Sequence, residues 1–95
     1  MSKTGIAEEI ADLMVKLIHS REHGVEARSS LYWRLFGFIE GISFVEFVKD
    51  GIWTGLVNYT QQSKLEELLR RADGEGEPLE KNYYAIRDII RKILK

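Results

Sequence analysis

Among the titratable residues, Glu40 has the most suggestive neighbours: on a helical wheel it falls among Trp33, Phe36, Phe44 and Phe47. A carboxylate in such a setting either finds a cation or keeps its proton, because burying an unpaired charge is costly. A held proton suits a general acid, but one carboxylate is no active site, and no Ser/His/Asp set accompanies it. Glu40 is therefore read first as half of an ion pair in the core or at an interface. Its cation must come from elsewhere, since Arg34 projects from another side of the same helix. Plain exposure is the next reading, and catalysis or ligand binding the last.

His19 and His23 are four residues apart and so stack on one side of a helix, with Asp12 two turns behind and Glu22 beside them. Two imidazoles so placed can face one metal ion. A structural site wants four ligands, however, the HExxH order of a zinc protease is missing, and the chain holds only these two histidines. A solvated helix face is the preferred reading, and no metal is expected.

Planar and cationic groups recur in two further places. Tyr32, Trp33 and Arg34 are consecutive, and Tyr84 lies near Arg87 and Arg91 on the cationic side of the last helix. Such groups stack on bases or hold anionic and aromatic ligands, and Tyr and Trp are equally common as anchors of protein interfaces. Residues 81–95 carry five cations and one anion, against four anions in residues 73–80. The net charge of the whole chain is only -1, so nothing global recommends nucleic acid or an anionic membrane. A solvated amphipathic helix with favourable charge at its C-terminus is the first reading of residues 81–95.

The usual nucleotide and hydrolase fingerprints are absent: there is no GxGxxG, GxxxxGK[ST], EF-hand loop or GxSxG. The glycine-rich run Asp73–Gly74–Glu75–Gly76–Glu77 is acidic and would repel phosphate. With no cysteine there is no disulfide, thiolate nucleophile or cysteine metal site, and no signal peptide is apparent at the N-terminus. A cytoplasmic protein without a cofactor and without enzymatic activity is expected. Two Asn, two Gln and two Met lean weakly toward a thermophilic source.

The elements that carry these residues read as helices. Ninety-five residues make one domain, and apolar residues recur at three- and four-residue spacing while period-two alternation is scarce. A first helix from about residue 5 to 23 puts Ile6, Ile10, Leu13 and Leu17 on one line, widened by Ala7, Met14 and Ile18. Thr4 is its candidate N-cap and Gly24 its terminator. A second helix begins between Val25 and Ser30 and runs to about Asp50. From Leu31 to Val57, sixteen of twenty-seven residues are apolar, and eight of the ten aromatic residues lie between Tyr32 and Tyr59. Leu31, Leu35, Phe38, Ile39, Ile42 and Val45 form one face; Trp33, Phe36, Phe44, Phe47 and Val48 form a second, roughly opposite.

A third helix is expected with Thr60 or Ser63 as cap, Ser63 and Glu66 having the capping-box spacing, and with Leu65, Leu68, Leu69 and Ala72 as its stripe. Residues 73–80 form a turn. Pro78 suits the first turn of a last helix striped by Leu79, Tyr83, Ile86, Ile90, Ile93 and Leu94.

The fold class expected is all-α: a small bundle of about four helices spanning residues 1–95, with one long aromatic-rich central helix, assembled as a homo-oligomer. A rod of about 25 residues is roughly 37 Å long and overhangs a domain of this size. Its second apolar face needs a cover, and a second copy is the simplest one. Gly37 and Gly41, four apart on that face, allow another backbone to approach closely, or else make a pocket for a helix of the same chain. The oligomer interface is accordingly assigned to Trp33, Phe36, Gly37, Gly41, Phe44, Phe47, Val48 and Trp53. Candidate ligand-binding residues are Trp33, Arg34, Glu40, Tyr84, Arg87 and Arg91. A membrane span is disfavoured because Arg34, Glu40, Glu46, Lys49 and Asp50 interrupt the apolar run.

Three functions follow in order of preference. The first is a non-enzymatic oligomeric module that binds a partner protein. The second is a protein that sequesters or senses a small anionic or aromatic ligand between subunits. The third is a nucleic-acid-binding helical dimer, disfavoured by the negative net charge.

Overall fold

The computed structural model of the chain describes residues 3–24, 28–43 and 57–95. These residues form four helices and no strand: α1 (Lys3–His23), α2 (Arg28–Ser43), α3 (Tyr59–Ala72) and α4 (Tyr83–Leu94). None of the described helices is long and apolar enough to cross a membrane.

The core is built outward from α1. Ile6, Ala7, Ile10, Ala11, Leu13, Met14, Leu17 and Ile18 are all buried, a stripe wide enough to meet α2, α3 and α4 together. Glu8, Asp12, Lys16, His19 and His23 face water as the periodicity requires. From α3 come Leu65, Leu68, Leu69 and Ala72, and from α4 Ile86, Ile90 and Leu94. Between α2 and α4 no Cα atoms approach within 8 Å, so these two helices lie apart with α1 and α3 packed against each of them.

The described part of α2 has 16 residues, about 24 Å, and α1 with 21 residues is the longest described helix. The expected continuation of α2 to Asp50 falls on residues 44–56, outside the described residues, as do Val45, Phe44, Phe47, Val48 and Trp53. Leu35 and Ile39 are fully buried, with Leu31, Phe38 and Ile42 packed beside them, so the first of the two apolar faces is the inward one. Ser43 is buried as well, and its hydroxyl donates to the Ile39 carbonyl at 2.7 Å, which satisfies it within its own helix. Val57 N–H donates to the Ile42 carbonyl at 3.3 Å and so ties the approach to α3 back to the end of α2.

Helix ends differ from expectation in three places. Thr4 is inside α1, which begins at Lys3, and so is not its cap. The cap of α3 is Asn58, not Thr60 or Ser63: its side-chain carbonyl accepts from Gln61 N–H at 2.8 Å, while Gln61 Oε1 accepts from Asn58 N–H at 2.9 Å. This reciprocal box starts the helix more than a turn earlier than Ser63 would, so more residues gain intrahelical bonds. Pro78 and Leu79 precede α4 rather than open it; Asn82 is the cap, accepting from Tyr84 and Ala85 N–H. Leu79 is nonetheless buried, as a loop side chain folded onto the core.

The turn after α3 closes as a Schellman arrangement, with Glu75 N–H donating to Arg70 C=O and Gly74 N–H to Arg71 C=O. Gly74 has φ +98 there, and the Arg21 side chain lies so close that a Cβ would come within 2.9 Å of it. Gly24 ends α1 with φ +64.

Candidate functional site

With Leu35 and Ile39 turned inward, the opposite face of α2 is left to solvent. Trp33 is 64% exposed, Arg34, Gly37, Glu40 and Gly41 are all exposed, and Phe36 is half-buried at the edge of the core. Trp33 meets Phe36 edge to face at 5.6 Å and Tyr32 edge to face at 5.2 Å, and Tyr32 stacks on Phe36 at 6.4 Å. Positions i, i+1 and i+4 thus build an aromatic ridge held from below by Phe36. Beside the ridge a Cβ on Gly37 or Gly41 would meet nothing within 4 Å among the described residues. The two glycines therefore do not make a pocket for another described helix of the same chain.

Glu40 shares this face, and its exposure overturns the expected core ion pair and the buried general acid. The reason is the orientation of α2: its Leu31, Leu35, Phe38, Ile39 and Ile42 side enters the core, and Glu40 lies on the other.

A second cluster lies on α4. Tyr84 is 65% exposed, and the Arg87 guanidinium lies 5.1 Å from its ring centre and 6.0 Å from that of Tyr83. Arg87 also pairs with Asp88 at 3.3 Å, and its Nε is buried without a hydrogen bond, so its charge is engaged chiefly by the two rings and this carboxylate. Arg91 reaches Glu8 at 3.5 Å, and Lys81 reaches Glu22 at 3.0 Å. The Lys81 ammonium, hydrogen-bonded to Glu22, holds that carboxyl below its ordinary range. Three of the five cations of residues 81–95 are thus turned toward the chain's own acids. No Cα atom of α2 comes within 8 Å of one on α4, so Trp33 and Arg34 lie on a different helix pair from Tyr84, Arg87 and Arg91.

The histidine pair is stacked, with ring centres 4.2 Å apart, and His23 Nδ1 donates to the His19 carbonyl at 2.9 Å. Asp12 is paired with Lys16 and Glu22 with Lys81. Among the described residues no group of three or more His, Asp or Glu is placed to hold a metal ion.

Sequence reasoning passed over a groove of about 370 Å³ formed by Glu67, Arg70 and Arg71 of α3 with Glu75, Gly76 and Glu77 of the acidic turn. Arg71 Nε donates to the Glu77 carbonyl at 3.1 Å across it. The signal that could have found it is the return of the Gly74 turn onto the last turn of α3, which brings both signs of charge together. Tyr59, exposed at the first position of α3, had no signal at all.

No family model, curated protein or solved structure matches this chain.

Proposed function

We propose that the chain is a non-enzymatic helical interaction module that self-associates through the exposed face of α2 and acts by binding a partner protein. The observation that carries this reading is Trp33, 64% exposed beside two helical glycines with nothing within 4 Å. Neither feature serves packing among the described residues. A large indole in water forgoes hydrophobic free energy of about 25 cal/mol for each Å² left uncovered, and a glycine inside a helix costs roughly 1 kcal/mol against alanine. Both become favourable when a second surface covers the ring and needs the close approach that glycine permits. Exposed Tyr84 and the acidic turn then remain for the partner protein. The internal pairing of Lys81, Arg87 and Arg91 reduces the positive charge free to meet nucleic acid.

Sedimentation equilibrium from about 1 to 100 μM is the test, a range that detects the affinities interaction modules need. A mass above one chain, falling toward one chain in Gly41→Leu, is the expected result. An 11.0 kDa species throughout the range refutes the reading.

A further inference from the structure

We propose that His19 and His23 together take up one divalent cation late in the first transition row, such as Cu2+ or Zn2+, as a two-imidazole chelate at the C-terminal end of α1. The pair falls short of the four protein ligands of a structural zinc site, and the other positions on the ion stay with water.

Proximity comes first. The two residues are one helical turn apart, both are exposed, and their ring centres lie 4.2 Å apart with the planes 30° from parallel. The same i, i+4 spacing sets two imidazoles on one zinc ion in helical metal sites. The tautomer comes next. His23 Nδ1 lies 2.9 Å from the His19 carbonyl oxygen, which can only accept, so in the neutral ring Nδ1 carries the proton and Nε2 keeps its lone pair free. A ring N–H held by a backbone carbonyl is the partner that a metal-binding imidazole ordinarily has: it fixes the ring and makes the other nitrogen more basic. Among the described residues no hydrogen bond holds the His19 ring, which can turn about its Cβ–Cγ bond, a soft torsion, to share an ion with His23 Nε2.

The electrostatics of the helix end agree. α1 closes at His23, and the C-terminal pole of its dipole is negative, which favours a cation there. Nearby cations are engaged: Lys16 pairs with Asp12 and Lys81 with Glu22, each at 3.0 Å, and the Arg21 side chain lies against Gly74. Imidazole nitrogen selects copper and zinc over magnesium or calcium, which take oxygen ligands. These are the chain's only two imidazoles and it has no cysteine, so no other pair of nitrogen or sulfur ligands of this kind competes for the ion.

Calorimetric titration of the full chain with CuCl2, ZnCl2 and MgCl2 tests the site. Copper and zinc should each bind, and magnesium should not. His19→Gln and His23→Gln should each weaken binding at least tenfold. A spacing control, Lys16→His in the His19→Gln chain, keeps two imidazoles but sets them seven residues, about 10.5 Å, apart along the helix, so it should bind like the single variants. Positions 16, 19 and 23 are all exposed, and far-UV circular dichroism checks that each variant remains folded. Carboxylates and the terminal amine are common to every variant, so the differences read the pair alone. In long-range 1H–15N NMR spectra, Zn2+ should shift His23 Nε2 while Nδ1 keeps its proton. A wild-type chain that binds no tighter than the single variants, a spacing control that binds as well as wild type, equal uptake of magnesium, or zinc on His23 Nδ1 overturns the chelate.

Discussion

Replacing Gly37 and Gly41 together by alanine should move folding and assembly in opposite directions. Both positions are helical, and a Cβ at either meets nothing within 4 Å, so the change adds no clash with the described residues. Alanine is favoured over glycine in a helix interior by roughly 0.8–1.0 kcal/mol. Gly37 and Gly41 should each gain close to this or slightly less. The sum is about 1.5 kcal/mol of added monomer stability. With a urea slope of about 1–1.5 kcal/mol/M for a chain of this size, the unfolding midpoint should rise by about 1 M without a change in slope. Fluorescence-detected unfolding at sub-micromolar concentration reads the chain with little contribution from assembly. The same methyl groups fill the space through which a second backbone approaches, so the dimer should weaken at least tenfold by sedimentation. A fall in the urea midpoint would mean that the glycine face is already covered in the single chain. A gain in stability with undiminished assembly would mean that the glycines lie outside the interface. Either result refutes the reasoning.

Two further outcomes test the parts of the structure that hold this surface in place. Asn58→Ala removes the bond that the Asn58 side chain accepts from Gln61 N–H and should cost about 1 kcal/mol, seen as a lower urea midpoint, whereas Ser63→Ala should change stability by only a few tenths. Glu22 should titrate below an ordinary glutamate by NMR, and Lys81→Gln should return it to the ordinary range, because the Lys81 hydrogen bond is the largest cause of the shift. Since the folded chain holds Glu22 more readily ionised than the unfolded chain, its stabilisation is present above the unfolded pKa and is lost as pH falls through the folded one.

Much of the fold is legible along the chain because helices bury whole stripes. The α3 stripe of Leu65, Leu68, Leu69 and Ala72 is read directly from spacing and is wholly buried, and of the α4 stripe Ile86, Ile90 and Leu94 are buried while Tyr83 and Ile93 are half-buried. Helix starts are less legible because several polar residues compete for each cap. Asn58 with Gln61 and Ser63 with Glu66 have the same spacing, and only the former pair occupies a helix terminus.

The candidate surface was half legible. Composition and periodicity place two apolar faces on the second helix, with Gly37, Gly41 and Trp33 on one of them. A helical wheel has no inside until the other helices are in position, so it could not show which face would be left in water, and it misplaced Glu40 for that reason. Only the packing of α1 and α3 against Leu35 and Ile39 turns Trp33 outward. Long-range pairs such as Lys81 with Glu22, 59 residues away, and the seating of Arg21 against Gly74 also belong to the tertiary structure alone. Stripes and caps arise from interactions within a few residues along a helix, whereas the outward face of α2 is whatever surface remains once its neighbours have taken the other side.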